Sequence, residues 1–227
     1  MKESICTMAL SMGADICGFA DIGRFTDAPE GFSPADLFPA CQSVIVIGLA
    51  LPIGLMKVSP RLVYHYFNET VTNGTIDGML LRLAREMERR FGCEAVPVPC
   101  DSPYEYWDAE NMEGRGLISM KHAAVRAGLG TLGKNTLLLN REFGNRMNLG
   151  VLLTDLVLPP DPLAESVCIR GCTKCVDSCP SGAIQNGGVV QKLCRQYAYT
   201  QKTARGYTTT ECNVCRSVCP VAFGLKK

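Results

Sequence analysis

The chain has 227 residues, 47% of them hydrophobic and 20% charged, enough for one ordinary core and a small satellite domain. Its net charge is +1, and its Lys and Arg are scattered rather than gathered into a stripe, so no electrostatic footprint for nucleic acid or a membrane surface is visible. The first twenty residues lack the basic stretch, apolar run and small-residue cleavage site of a secretory signal, and the longest apolar run, from Val44 to Ile53, is too short to cross a bilayer. A cytoplasmic protein without membrane association is the expectation.

Apolar residues at helical intervals over 3–13 predict a helix ending at Gly13, followed by a strand in ADICGFADI. SVIVIGLALP is a continuous β-branched run stopped by Pro52, which predicts a strand buried on both faces at the centre of a sheet. From Thr75, the positions Ile76, Met79, Leu80, Leu83, Ala84, Met87 and Phe91 form one apolar stripe with Arg and Glu opposite, and Gly92 stops the helix. EAVPVPC is extended by its prolines, SMKHAAVRAG is helical, and TLLLN and LGVLLTDLVL read as strands. Helices and strands thus interleave over 1–158, and the proline-rich LPPDPLAES is the expected linker. The expected division is residues 1–160 as a cofactor or substrate domain and 161–227 as a second, cysteine-rich domain.

Thirteen cysteines without an export signal should be thiols or metal ligands. Cys6, Cys17, Cys41, Cys93 and Cys100 stand singly in apolar company and read as small core residues. The other eight lie between Cys168 and Cys219, where CTKCVDSCP at 172–180 and CNVCRSVCP at 212–220 repeat C-x2-C-x3-C-P. In the two-cluster ferredoxin arrangement, three cysteines of a run hold one [4Fe–4S] cluster and the cysteine before the proline crosses to the other. By that rule Cys168, Cys172, Cys175 and Cys219 hold one cluster, and Cys179, Cys194, Cys212 and Cys215 the second. Cys168 departs from the usual spacing, since Cys168 to Cys172 is C-x3-C. Zinc ribbons also use C-x2-C pairs, but they do not explain the repeated x3-C-P ending; a disulfide framework is opposed by the expected compartment.

AGLGTLGKN at 127–135 contains G-x-G-x-x-G followed by a lysine. A dinucleotide fingerprint needs a strand before and a helix after, and here the order is reversed, so a helix cap and tight turn at Gly128 and Gly130 is the plainer reading.

The segments HAAVRAGLGTLGKNTLLLN, LGVLLTDLVLPPD, CTKCVDSCPSGAI, QKLCRQYAY and CNVCRSVCP, in this order over the second half of the chain, resemble the epoxyqueuosine reductases and their relatives the corrinoid-dependent reductive dehalogenases. The resemblance implies an α+β fold, with a nitroreductase-like α/β N-terminal domain that binds cobalamin and a C-terminal ferredoxin-like domain with two [4Fe–4S] clusters. It places a base-off corrinoid near Gly128, Gly130, Thr131, Gly133, Lys134 and Asn135, reduced through the clusters by an external donor such as a ferredoxin or flavodoxin.

The epoxyqueuosine reductases carry an acidic proton donor shortly before A-G-L-G, and counted without gaps that position is Gly114. Asp101 fills the role only if the following loop is longer than in those enzymes, Glu113 is the nearer acid, and an ordinary solvated carboxylate is the alternative for each. His122 is one of two histidines and is a further acid–base candidate beside a structural role. Tyr64, His65, Tyr66, Phe67, Tyr104, Tyr106 and Trp107 suit either a flat cofactor pocket or packing. The chain ends at Lys227 without the helical repeat domain of many epoxyqueuosine reductases, so no nucleic-acid partner is expected, and the missing twin-arginine signal argues against a respiratory dehalogenase. Three functions follow: a reductase acting on an unknown small molecule, a ferredoxin-type electron carrier whose N-terminal domain docks partners, and a redox or iron sensor.

Overall fold

The computed structural model describes residues 1–225 apart from 60, 103, 203, 210 and 211; the last two residues of the expected second domain lie outside it. The β-branched run forms strand β2, Ser43–Ala50, whose first six residues are buried. Side chains of a pleated strand alternate between faces. Ile45 and Ile47 accordingly join one core, while Val44 and Val46 join another on the opposite side of the sheet. Strand β2 pairs antiparallel with β1, Ile16–Asp21, on one side. On the other side it pairs antiparallel with an eight-residue strand, Met147–Thr154. That third strand is in turn bonded antiparallel to a short edge strand, Ala95–Val98. The sheet is therefore antiparallel throughout, which makes the fold α+β. Pro97, which has no N–H to give, is tolerated because its strand lies at the sheet edge.

Helix α1, Lys2–Ser11, and the twenty-residue α2, Thr72–Phe91, cover the first face. Their stripe of Ile5, Met8, Ile76, Leu80, Leu83 and Met87 meets Phe19, Ile45, Ile47 and Leu152. Gly92 ends α2 at φ 63°, its N–H donating to the Glu88 carbonyl. Helix α2 lies so close to the sheet that a Cβ on Gly150 would come within 2.3 Å of Ile76 Cγ2. On the second face the seven-residue α3, Met120–Arg126, begins at Ser119, whose hydroxyl accepts the His122 N–H, and buries Ala123 and Ala124 against Val44, Val46, Val151 and Leu153.

The sequence predicts strand to Leu158, whereas the strand ends at Thr154. There the Thr154 hydroxyl donates to the Glu94 carbonyl and accepts the Leu156 N–H at 3.2 Å, so a side chain takes over the backbone's partners. TLLLN shrinks to a two-residue strand, Leu138–Leu139, paired with Thr131–Leu132.

Beyond residue 160 the elements are short, and their buried apolar residues are few: Ala183, Ile184, Ala198, Val221 and Ala222. Asp161 pins the connection. Its carboxylate accepts from Lys2 Nζ at 2.6 Å and from the Phe19 N–H at 2.9 Å, and its carbonyl accepts from Arg24.

Candidate cluster loops and cleft

The two cysteine repeats fold alike. Each C-x2-C carries a four-residue helix, Lys174–Asp177 in the first and Val214–Ser217 in the second. In both, the residue after the first cysteine accepts twice: Thr173 O from the Val176 and Asp177 N–H groups, Asn213 O from those of Arg216 and Ser217. After each final cysteine the chain turns sharply, with Gly182 N–H donating to Cys179 O and Ala222 N–H to Cys219 O. This is the turn the prolines predict.

The loops sort the eight thiols into two groups. Cys219 has the Cys175, Cys168 and Cys172 thiols as neighbours, and all four line one small pocket with Pro220 and Val221. Cys215 has Cys212, Cys194 and Cys179 as its own. Cys168, despite its longer spacing, lines the same pocket as Cys172 and Cys175. Burial pushes the Cys215 thiol up to about 11, with the Arg216 guanidinium acting against it. The Cys175, Cys194 and Cys219 thiols are raised as well, first by burial. Among the described residues no three His, Cys, Asp or Glu side chains converge closely enough to hold a single metal ion. All thirteen cysteines are free thiols, and of the five isolated ones Cys41 and Cys93 are buried.

The glycine-rich segment braces these loops. Lys134 Nζ donates to Cys172 O at 2.6 Å, and Asn135 Nδ2 to Cys215 O at 3.0 Å. Asn145 and Arg216 exchange two bonds, Asn145 Nδ2 to Arg216 O and Arg216 Nη1 to Asn145 O. From the other side, His65 Nε2 accepts the Cys212 N–H at 3.2 Å while its Nδ1 faces Glu69 Oε1 at 3.1 Å. Gly128, at φ 74°, closes α3 and presses on the Pro162 carbonyl, which a Cβ would approach to 2.2 Å; a Cβ on Gly130 would meet Leu139 O at 2.4 Å. Gly133, Lys134 and Asn135 line the first thiol pocket, and Thr131 Oγ1 is buried with no partner.

A cleft of about 330 Å³ lies beside the second thiol group. Its walls include Asn68 and Glu69 from a π-helical turn, Asp101 and Tyr104, Met120 and Lys121 of α3, Asn145 and Asn148, and Tyr199 and Arg216 from the cysteine region. The side-chain oxygens of Asn68 and Asn145 are buried here without a partner. Of the acid–base candidates, Asp101 alone lines the cleft. Its side chain reaches solvent at the mouth, yet the surrounding protein holds its carboxyl above the usual range, helped by the Glu69 charge. Glu113 instead pairs with Arg115 at 2.9 Å on a hairpin. His122 is exposed, with its Nδ1 2.7 Å from Ser119 Oγ, and burial of its ring, Arg126 and Lys121 hold it below its ordinary value. Gly114 is clamped to Gln191, which accepts its N–H and donates to its carbonyl. Of the seven aromatic positions only Tyr104 lines the cleft, stacked on Trp107, while Tyr64 is buried with Leu51 and Met56.

Glu69, Lys121 and Arg216 escape the sequence reading. Burial lowers Lys121, with Arg216 acting the same way, so two cations face the cleft beside the second thiol group. Adjacency to Cys215 was the one available signal, for Arg216.

The mixed fold with cysteine loops against a cleft is similar to that of several solved reductases. A catabolic reductive dehalogenase superposes with a TM-score of 0.69 at 20% identity, over 97% of this chain and 32% of that one. An epoxyqueuosine reductase solved with a tRNA-Tyr stem loop gives 0.72 at 23% identity, over 97% of this chain and 65% of that one. In sequence, the epoxyqueuosine reductase of Listeria monocytogenes is 33% identical over 256 residues, and that of Bacillus cereus 28% over 260, each match covering 99% of this chain. The chain is a relative of the epoxyqueuosine reductases. It spans about two thirds (65%) of the length of these curated relatives. No family model matches it.

One expectation is corrected here. A neutral charge balance predicts no nucleic-acid partner, but the structural relative above holds a tRNA stem loop and the sequence relatives are epoxyqueuosine reductases. A protein that reads a folded RNA through shape and a few bases needs no basic stripe. Among the described residues no helix is long and apolar enough to cross a membrane.

Proposed function

We propose that this chain is an iron–sulfur reductase that carries electrons through two [4Fe–4S] clusters, ligated by Cys168, Cys172, Cys175 and Cys219 and by Cys179, Cys194, Cys212 and Cys215, to a reacting centre in the cleft. Residues 1–160 form the cofactor and substrate domain in this reading, and 161–227 the cluster domain. The observation that carries it is the sorting of eight thiols into two groups of four, the second of which adjoins the cleft through Arg216.

The cleft, at about 330 Å³, takes part of a corrinoid rather than the whole, and its polar lining matches that part. The corrinoid ring bears amide groups, and the orphaned oxygens of Asn68 and Asn145 are acceptors for such N–H groups, with Asn148 beside them. When bound, it would supply the two-electron reductive bond breaking that side chains cannot perform, its electrons arriving singly through the clusters. The chain's own residues then have distinct tasks. Lys121 and Arg216 stabilise negative charge arriving from the second cluster, and Asp101, held protonated more readily than a free carboxyl, supplies one proton to the oxygen that leaves as water, the second coming from solvent. The substrate class that the relatives suggest is the epoxide of a modified nucleoside on a tRNA stem loop.

The test is anaerobic purification and cluster reconstitution, iron and sulfide analysis, optical titration with cobalamin, and incubation with epoxyqueuosine-modified tRNA under reducing conditions. About eight irons, a saturable corrinoid spectrum and queuosine formation support the proposal. Eight irons with neither response would make the chain an electron carrier, and fewer than about four irons would remove the cluster assignment altogether.

A further inference from the structure

The two C-x2-C loops share a backbone but differ in their side chains, most sharply just after the first cysteine. At the position after the first cysteine, the loop of the first group has Thr173, whose exposed hydroxyl donates to Asp177 Oδ2 at 2.6 Å. The second has Asn213, which is only 4% exposed and whose Nδ2 and Oδ1 both lack a partner. An orphaned buried amide costs about 1–3 kcal/mol, so a partner is required. Asn213 sits between Cys212 and Cys215, with Cys194 and Cys179 beside them, and sulfur is the acceptor that a cluster at this place would bring.

A tetrathiolate [4Fe–4S] cluster becomes more negative when reduced. Burial therefore lowers its reduction potential, while N–H donors and nearby cations raise it. The C-x2-C loop of the first group is open to solvent, with Ile169, Arg170, Thr173 and Lys174 exposed; in that of the second, Asn213 is buried and Val214 and Arg216 are partly covered, while Cys194 of the second group, on a separate helix, is exposed. Without compensation the second cluster would be the harder to reduce, and electrons entering at the exposed edge would stop at the first. Arg216 supplies one compensating charge.

We propose that the Asn213 side chain donates its N–H to a sulfur of the second cluster and raises that cluster's reduction potential, so that electrons run from the exposed cluster to the one beside the cleft. This rests on the cluster reading above. Since an amide can rotate, the donor rather than the oxygen faces the electron-rich sulfur.

The experiment is an anaerobic redox titration followed by electron paramagnetic resonance on the whole chain, comparing wild type with Asn213→Leu and Asn213→Asp. Cys194→Ser identifies the second cluster's signal by removing it. In N213L, iron content stays as in wild type and the reduction equilibrium constant of the second cluster falls about tenfold, roughly 59 mV for a one-electron couple; the first cluster is unmoved. If N213L does not hold its iron, N213D carries the test, with a shift in the same direction. Unchanged potentials, or an equal shift of both clusters, would overturn the proposal. Failure of wild type to bind two clusters would instead overturn the reading on which it rests.

Discussion

At the residue scale the most informative side chains stand where burial and charge disagree. Asp101 has its carboxyl raised by burial and by Glu69. A raised acid is protonated in both states below about pH 3.9, so it costs nothing there, and the cost appears as pH rises through the folded value. Asp101→Asn is therefore expected to melt higher than wild type at pH 7 and alike at pH 3.5, as read by thermal unfolding. The same variant is expected to lose about 10²-fold in turnover if Asp101 delivers the proton, with the loss confined to kcat. Cys194 is the most isolated ligand in sequence, and Cys194→Ser is expected to release about half of the iron while leaving the first cluster's spectrum in place.

At the element scale, α2 and the sheet show how local pattern becomes packing. Ile76 and Leu80 are fully buried, and both crowd Gly150. Gly150→Ala is expected to cost about 1–3 kcal/mol, and Leu80→Ala about 2–5 kcal/mol, in anaerobic urea unfolding. The helix stripe and the β-branched strand were legible because apolar periodicity reports burial directly. Strand ends were not: Thr154 stops its strand by capturing Glu94 O, a residue sixty positions away.

At the scale of the whole molecule, the cluster region is a small loop-rich body held by polar links. Lys134, Asn135, Asn145 and His65 each bond to a backbone group of the cysteine loops. Asn135→Ala is expected to leave the circular dichroism unchanged but speed cluster loss to a chelator severalfold, because it frees the loop of Cys215 without touching the sheet core. Stripping all iron is expected to disorder the loops between Cys168 and Cys219 while the sheet persists, since α1, α2 and α3 pack on it through apolar cores that need no metal.

The sequence by itself determined what is written in short-range pattern: interleaved helices and strands from its apolar periods, eight cysteines in two like-spaced runs, and the resemblance to the epoxyqueuosine reductases. Spacing suffices there because a ligand loop is a local object. The tertiary structure alone decided that the glycine-rich segment braces the loops, that Asp101 and not Glu113 or His122 reaches the cleft, and that Glu69, Lys121, Arg216 and Asn213 meet at the second thiol group or beside it. Those residues lie on segments distant in the chain, and their proximity depends on packing that no window of sequence contains. Partner choice was misread for a related reason: net charge sums over the whole surface, whereas recognition is set by the few groups that converge at one place.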